Sequence, residues 1–376
     1  MRKMPHPDFS FFHDIVRDRH RSARELSRNK RLFGYFCDLV PEELLHAAGF
    51  IPVRITGARK PISLADRHLQ SNVCSFARSC LELALEGAYR YLSGIVIPHS
   101  CDIITKMNDL WAYRVDYPDF CHYLWYPHKV NDPSARSAFI DEVRRLKSCL
   151  EEFFGTEVSD ESLWKSIACY NENRQLLRDI YELRKPDPPR LSGTEAFSLT
   201  LSSMLAPKDE HSLRLRELRD SLEQRDSMEQ GRPRILVSAS ALDSPDLIES
   251  IEGLGGMVVA DDVCTGIRYF WVEVGESDDP LEAVADRYLR KIPCPRTFDS
   301  HGRIDFLMRN ITEYNVQGVI IYILRCCDAQ LFQMPGVQER IKAAGVPVLY
   351  LQGDHSTPIS EETHNRIAAF IEMLGG

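Results

Sequence analysis

The chain has 376 residues, 44% hydrophobic and 27% charged, a composition typical of a globular protein long enough for two domains. Its formal net charge of −9 argues against a general affinity for nucleic acid. No apolar run approaches the roughly 20 residues of a membrane span, and the first residues lack the apolar core of a secretory signal. We therefore predict a cytoplasmic protein that does not associate with a membrane.

The basic residues near the N-terminus, in RDRHRSARELSRNKR, are interleaved with acidic and apolar residues. This pattern predicts a solvated amphipathic helix that caps the first domain rather than a nucleic-acid-binding arm.

Short apolar runs then alternate with helical patterns in two segments. The first segment gives the strand FGYFCDLV, the helix PEELLHAAG, the strand FIPVRITG, a helix from Val73 to Tyr91, the strand GIVIPHS, a helix after Cys101 and the strand CHYLWYP. The second gives the strand ILVSAS, the helix SPDLIESIEGLGG, the strand MVVADDV, the helices DPLEAVADRYLRK and HGRIDFLMRNITEYN, the strand GVIIYILR, the helix GVQERIKAAG, the strand VPVLYLQGD and a helix from Ser360.

Continuous apolar strands that alternate with helices are typical of parallel sheets covered on both faces. The fold class predicted is α/β, with two Rossmann-like, doubly wound parallel-sheet domains joined by a helical linker. We predict an N-terminal helical segment at residues 1–30, a first α/β domain at 31–132, a helical linker region at 133–229 and a second α/β domain at 230–376.

The chain contains eleven cysteines, and a reducing compartment disfavours disulfides. Several of these thiols follow predicted strands, at the edge where open parallel sheets bind ligands. Cys101 follows GIVIPHS, Cys264 follows MVVADDV, and the pair Cys326 and Cys327 follows GVIIYILR. Any one such cysteine is more often structural than a ligand, but thiols delivered by both domains favour a shared centre.

Two further positions support a centre built from thiolates. Cys74 lies at a predicted helix start, where the helix dipole stabilises a thiolate, and Cys294 lies in the proline-bounded loop KIPCP. The remaining cysteines fall within predicted helices or strands and are most simply buried small hydrophobes: Cys37, Cys121, Cys149 and Cys169.

The spacing helps to choose between metals. Structural zinc sites usually show close C-x2-4-C pairs, which these cysteines lack, whereas iron–sulfur clusters accept ligands dispersed along a chain. The residues therefore predict an iron–sulfur protein, and the spacing alone leaves the type of cluster open. No histidine has ligand-like spacing. The chain also contains neither a G-x-x-x-x-G-K-[ST] phosphate loop nor a G-x-G-x-x-G motif, so it offers no nucleotide site.

Four segments resemble the superfamily of 2-hydroxyacyl-CoA dehydratases, ATP-dependent benzoyl-CoA reductases and double-cubane cluster proteins. They are GYFCDLVPEELLHAAGFIPVR, VIPHSCDIITKMNDLW, YNENRQLLRDIYELR and CCDAQLFQMPGVQERIKAAGVPVLYLQGD. The dehydratase and reductase subunits of the superfamily hold one [4Fe-4S] cubane through three cysteines, which match Cys74, Cys101 and Cys327. Cys326 stands where an apolar residue is usual, which leaves open which of the pair binds.

Double-cubane proteins resemble this plan with three additional cysteines, which match Cys80, Cys264 and Cys294. The resemblance therefore implies the double-cubane branch, with an [8Fe-9S] cluster held by all six thiolates: Cys74, Cys80, Cys101, Cys264, Cys294 and Cys327. It also implies a homodimer that receives electrons from a separate ATP-hydrolysing iron–sulfur activase. Residues next to the ligands that could tune such a cluster are His99, Asp102, Asp261, Asp262, Arg325 and Asp328.

Three functions follow as hypotheses. The first is a low-potential reductase of a small molecule, fed by the activase. The second is the [4Fe-4S] subunit of a 2-hydroxyacyl-CoA dehydratase or benzoyl-CoA reductase, acting on an acyl-CoA substrate. The third is a non-enzymatic electron relay. The sequence does not identify the physiological substrate.

Overall fold

The computed structural model describes residues 7–298 and 301–375, so the predicted N-terminal segment 1–30 begins with six residues outside the described part. Its strands form two sheets of four strands each, and every neighbouring pair is parallel. In the first sheet the order is β2-β1-β3-β4, with β1 Leu32–Tyr35, β2 Ile51–Arg54, β3 Leu92–Pro98 and β4 Phe120–Leu124.

The second sheet repeats the same topology. Its order is β6-β5-β7-β8, with β5 Arg234–Ala239, β6 Met257–Asp262, β7 Gly318–Leu324 and β8 Val348–Gly353. Strand order reverses between β1 and β3 in one sheet and between β5 and β7 in the other. Ligands of doubly wound sheets bind at such reversals. The predicted fold class is confirmed, while the predicted domain boundaries stay predictions.

Helices cover the sheets and connect them. The first two lie near the N-terminus and the next three accompany the first sheet: α1 Ser10–Arg17, α2 Arg19–Leu26, α3 Glu42–Ala47, α4 Ser75–Leu85 and α5 Asp102–Arg114. The region predicted as a linker contains α6 Pro133–Phe154, α7 Asp160–Glu182, α8 Gly193–Ser203 and α9 Lys208–Leu222. The rest are α10 Asp246–Gly253, α11 Ile267–Phe270, α12 Pro280–Arg290, α13 His301–Glu313, α14 Asp328–Ala343 and α15 Glu361–Gly375.

Two helices pack on a part of the protein other than the one next to them in sequence. Helix α12 follows β6 in sequence, yet its apolar face joins the core cluster on the first sheet, beside α6. Helix α1 buries Phe12 among linker residues such as Leu199 and Leu215, so its apolar side packs on the linker. The predicted helix over the basic residues corresponds to α2, which contacts the first domain, since His20 Nδ1 lies 3.2 Å from the Tyr91 hydroxyl oxygen. Arg19 also reaches the carbonyl oxygen of Asp243 in the second segment.

Three predicted boundaries differ from the structure. The strand expected to run through Val40 ends at Tyr35, because Cys37 has a φ of 56° and turns the chain. Helix α4 ends at Leu85, just before Gly87 at a φ of 82°. Helix α14 begins at Asp328, earlier than predicted. The prediction started this helix after Pro335, because proline normally interrupts a helix, yet α14 contains Pro335.

The two sheets share a continuous apolar core. One cluster contains buried residues of both, including Leu32 and Ile95 from the first and Ile235 and Ile320 from the second. None of the helices within 7–298 and 301–375 has the length and apolar character needed to cross a bilayer.

A buried polar network joins the first sheet to the linker. The Glu43 carboxylate pairs with Arg174 of α7 and accepts a hydrogen bond of 2.9 Å from the Tyr288 hydroxyl of α12. The Lys208 ammonium of α9 donates to the Tyr269 hydroxyl at 2.8 Å and to Ser203. These charged groups are buried, and their hydrogen bonds help to fix how the linker helices sit on the first domain.

Candidate thiol site between the sheets

Three of the predicted ligands occupy the same structural position. Cys74, Cys101 and Cys327 are the N-cap residues of α4, α5 and α14, and none of their side chains forms a capping hydrogen bond. The N-terminus of a helix carries a partial positive charge and unpaired N–H groups. Three helix N-termini thus present their thiols together with amide groups that stabilise negative charge on sulfur.

These three thiols are neighbours, although they come from two domains. The interaction with the Cys74 thiol, in which Cys74 donates, lowers the pKa of Cys327 from 9.0 to about 6 against the opposing effect of burial. The same interaction, followed by burial, raises the pKa of Cys74. Burial raises the pKa of Cys101 to about 11, with further contributions from Cys327 and Cys294. The structure therefore brings Cys74, Cys101 and Cys327 together.

The other three predicted ligands, Cys294, Cys264 and Cys80, interact with one another's surroundings through charge and one hydrogen bond. Burial raises the pKa of Cys294, where Arg268 acts in the opposite direction and Cys264 adds to the increase. Cys264 accepts a hydrogen bond from Arg54 at 3.7 Å between Nη2 and Sγ. Cys80 is fully buried in the middle of α4; burial, followed by the charge of Asp243, raises its pKa, and Arg54 lowers it. Electrostatic interactions thus link Cys74 and Cys327 with Cys101, Cys101 with Cys294 and Cys294 with Cys264. Arg54 contacts Cys264 and acts through its charge on Cys80.

Cys37 interacts with two of these thiols, and its predicted position within a strand is wrong. It follows β1 and its Sγ is 3.3 Å from the hydroxyl oxygen of Ser100. Burial raises its pKa, and Cys101 and Cys294 contribute to the increase. Cys37 has a left-handed backbone conformation, which is unusual for a residue other than glycine. The hydrophobic pattern of the sequence does not indicate this conformation.

The remaining cysteines lie away from these neighbours or show no contact with them. Cys121 lies in β4 with its Sγ 3.8 Å from Asn108 Oδ1, while Cys149 and Cys169 lie in α6 and α7 as predicted; all three are partly buried. Cys326 has a φ of 62° and directly precedes Cys327, the residue that faces Cys74. All eleven cysteines carry free thiols.

The residues proposed to tune the thiols mostly bind other groups. Asp261 accepts hydrogen bonds from the Tyr181 hydroxyl at 2.5 Å and the Ile267 amide at 2.8 Å. Asp262 pairs with Arg303 at 2.6 Å, and Asp102 pairs with Arg296 at 2.8 Å.

The other candidates are likewise positioned by the backbone. His99 Nδ1 lies 3.1 Å from the carbonyl oxygen of Tyr126. Arg325 and Asp328 are exposed, and Arg325 contributes its amide N–H to the carbonyl oxygen of Gly353. His99 is thus held by the backbone next to Cys101, whereas the Arg325 and Asp328 side chains face solvent. No local sequence pattern pointed to Arg54, the cation that does contact one of the thiols.

The donor set does not suit a single metal ion. Within residues 7–298 and 301–375, no three His, Cys, Asp or Glu side chains are arranged to hold one ion. This finding gives no support to a tetrahedral zinc site. The unpartnered Nη1 of buried Arg54 is a further group that an anionic centre would satisfy.

A separate cleft of about 540 Å³ opens between α1, α8 and the loop after β5. Its walls include His13, Arg19, Ala58, Thr194 and Ser244, and no cysteine lines it. The cleft is therefore distinct from the thiol site.

Residues 37–374 match the family model of the 2-hydroxyglutaryl-CoA dehydratase D-component. The chain is 26% identical to a benzoyl-CoA reductase subunit of Thauera aromatica, over 88% of this chain and 87% of the relative. It is 28% identical to the putative dehydratase subunit YjiM of Escherichia coli, over 91% of each chain. It is 25% identical to the (R)-phenyllactyl-CoA dehydratase beta subunit of Clostridium sporogenes, over 97% of this chain and 98% of the relative.

The family match covers nearly all of the described chain and includes five segments that carry the predicted ligands, from Cys74 to Cys327. The resemblance found in the sequence is thus confirmed: the protein belongs to the 2-hydroxyglutaryl-CoA dehydratase D-component family, in the superfamily that also includes the benzoyl-CoA reductase subunits.

Proposed function

We propose that the protein is an iron–sulfur enzyme whose double-cubane [8Fe-9S] centre reduces a small molecule. The observation that supports this proposal is a set of six thiols, drawn from both sheets, that interact electrostatically with one another or with Arg54. Cys74, Cys101 and Cys327 would hold one half of the centre, and Cys80, Cys264 and Cys294 the other.

The chain's own residues would prepare the site for a negatively charged centre. Helix N-termini at Cys74, Cys101 and Cys327 stabilise thiolates, and the hydrogen bond with Cys74 lowers the pKa of Cys327. Burial of Cys74 and Cys80 excludes water from their sulfur atoms. When bound, an iron–sulfur centre supplies one-electron transfer at a potential set by burial, charge and hydrogen bonds to sulfur.

Electrons would come from a partner protein. The sequence has no phosphate loop, so ATP hydrolysis belongs to a separate iron–sulfur activase in this proposal. We propose that the chain forms a homodimer and that the activase delivers single electrons to it.

A second candidate is favoured by the names of the relatives. The similar subunits from Thauera aromatica and Clostridium sporogenes belong to enzymes named for reactions of acyl-CoA compounds, a benzoyl-CoA reductase and an (R)-phenyllactyl-CoA dehydratase. Under this alternative, only Cys74, Cys101 and Cys327 would hold a single [4Fe-4S] cubane, and the chain would work beside a second, different subunit.

Iron and acid-labile sulfide per monomer distinguish the two candidates. Protein prepared anaerobically should contain about eight irons under the first proposal and about four under the second. The Cys80→Ser variant should lose iron under the first proposal only, whereas the matched Cys169→Ser variant, in the linker helix α7, should retain the wild-type content under both. Four irons together with an unchanged Cys80→Ser variant would overturn the double-cubane assignment.

A turnover assay separates an enzyme from an electron relay. Anaerobic protein is incubated with the activase, ATP and a strong reductant, and then with small reducible molecules or with acyl-CoA thioesters. ATP-dependent reduction of a small molecule supports the first proposal and elimination of water from a 2-hydroxyacyl-CoA supports the second. An absence of turnover with either class favours the relay.

A further inference from the structure

Arg54 is a buried cation at the boundary between the two sheets. It is the last residue of β2, and only 4% of its surface is exposed. Its amide N–H donates to the carbonyl oxygen of Met204 at 2.9 Å, and its guanidinium lies 5.8 Å from the centre of the Tyr35 ring on the neighbouring strand. The backbone and the aromatic ring therefore fix where the guanidinium points.

The guanidinium points toward sulfur rather than toward an acid. Nη2 donates to Cys264 Sγ at 3.7 Å, while the buried Nη1 has no hydrogen-bond partner. Arg54 forms no ion pair with any described carboxylate. Other buried cations that interact with these thiols differ in this respect, since Arg268 and Arg303 both pair with Asp262.

An unpaired buried guanidinium is unfavourable unless a ligand completes its hydrogen bonds. Arg54 also acts on more than one thiol, because its charge lowers the pKa of Cys80 and opposes the increase at Cys37. A group that lies among Cys80, Cys37 and Cys264 and has a free donor is placed to contact whatever those thiols hold.

We propose that Arg54 is a positioning residue that donates hydrogen bonds to the sulfur atoms of the half of the centre held by Cys80, Cys264 and Cys294. The inference rests on the proposed function and adds a determinant of its reduction potential. A fixed positive donor stabilises the more negative, reduced form, so Arg54 raises the potential of this half relative to the half at Cys74, Cys101 and Cys327. The two halves of the centre would then have different reduction potentials because only one of them contacts Arg54.

The test is an EPR-monitored redox titration of anaerobic holoprotein, with iron content and thermal unfolding measured on the same samples. Arg54→Gln should retain about eight irons and shift one midpoint potential to a more negative value, leaving the other in place. Arg54→Lys, which retains the charge but loses the fork of donors, should give a smaller shift in the same direction. Arg225→Gln, which removes an arginine that pairs with Glu195 in the linker, should shift neither potential.

Unchanged potentials in Arg54→Gln protein with full iron content would overturn the inference and leave the proposed function intact. A wild-type iron content near four per monomer would instead overturn the double-cubane proposal itself. If Arg54→Gln protein loads too little iron to titrate, Arg54→Lys decides, and a potential identical to wild type in that variant counts against the inference.

Discussion

His355 Nε2 lies 2.7 Å from Asp243 Oδ1, and this pair ties the second sheet to the first domain. Asp243 follows β5 and also accepts the Gly57 amide at 2.7 Å through Oδ2, while the His355 amide donates to Ser75 Oγ at 2.9 Å. Ser75 is the residue after Cys74. The pair therefore positions the start of α4, and with it one of the proposed ligands.

We expect Asp243→Asn to lower the free energy of unfolding by about 2–4 kcal/mol, because it removes one partner from a buried charged hydrogen bond. Burial acts to raise the pKa of this carboxylate, but its interactions with His355 and Gly57 hold the pKa below its usual value. Urea denaturation followed by circular dichroism measures the change. Asp246→Asn, which removes a partly exposed ion pair with Arg59, should cost less than about 1 kcal/mol. Equal effects in the two variants would contradict the assigned role.

Gly57→Ala tests how closely the two domains approach at the same point. A Cβ at Gly57 would lie 2.5 Å from His355 Cε1 and 2.7 Å from Ser79 Oγ. We expect a loss of about 1–3 kcal/mol in unfolding free energy from this overpacking. Gly253→Ala in α10 is the matched control, since its Cβ would meet nothing within 4 Å, and it should be neutral or slightly stabilising. A neutral Gly57→Ala variant would show that the contact is loose.

The adjacent thiols Cys326 and Cys327 provide a test of ligand assignment. Cys327→Ala should lose iron, because Cys327 caps α14 and interacts with Cys74. Cys326→Ala should retain the wild-type iron content, since Cys326 precedes the cap and no thiol contact is found for it. The measurement is iron and sulfide per monomer after anaerobic purification. Loss of iron in Cys326→Ala, with retention in Cys327→Ala, would reverse the assignment.

The buried ammonium group of Lys208 should make the free energy of unfolding depend on pH. Burial lowers the pKa of its ammonium group from 10.5 to about 8 in the folded protein. Between these two pH values the unfolded chain binds more protons than the folded one, so the stability of the wild type should rise with pH across this range. Below pH 8 the cost of burying the charge, on the order of 3 kcal/mol, is fully present.

The Lys208→Met variant should lack this contribution. Its unfolding free energy, subtracted from that of the wild type at each pH from 8 to 10.5, should give a difference that grows in favour of the wild type. Lys165→Met, on an exposed part of α7, should follow the wild type throughout. Parallel pH profiles for wild type and Lys208→Met would show that Lys208 has an ordinary pKa.

The sequence predicted the parts of the fold that depend on local pattern. All eight strands were found because apolar runs in parallel sheets are continuous, and strand ends placed Cys101, Cys264 and Cys327 at the edge where the sheets bind ligands. The start of α14 was missed because Pro335 and Gly336 interrupt its pattern, although the helix tolerates them. That boundary matters, since it makes Cys327 an N-cap.

The contacts between distant segments could not be predicted. Arg54 and Cys264 are far apart in the chain, and nothing in either neighbourhood indicates that they meet. Glu43 and Arg174 likewise look like ordinary charges on amphipathic helices, whereas both are buried and paired. Such pairs depend on how whole elements pack, which hydrophobic periodicity does not describe.

Because the thiols come from both sheets, the site can form only late in the synthesis of the chain. Cys74 and Cys101 lie in the first third of the chain, but their neighbour Cys327 follows β7, one of the last strands to be made. A nascent chain that has folded only its first domain therefore exposes thiols that the complete protein protects. In protein without a bound centre, the rate at which Cys74 reacts with a thiol reagent would thus report whether the second sheet has docked.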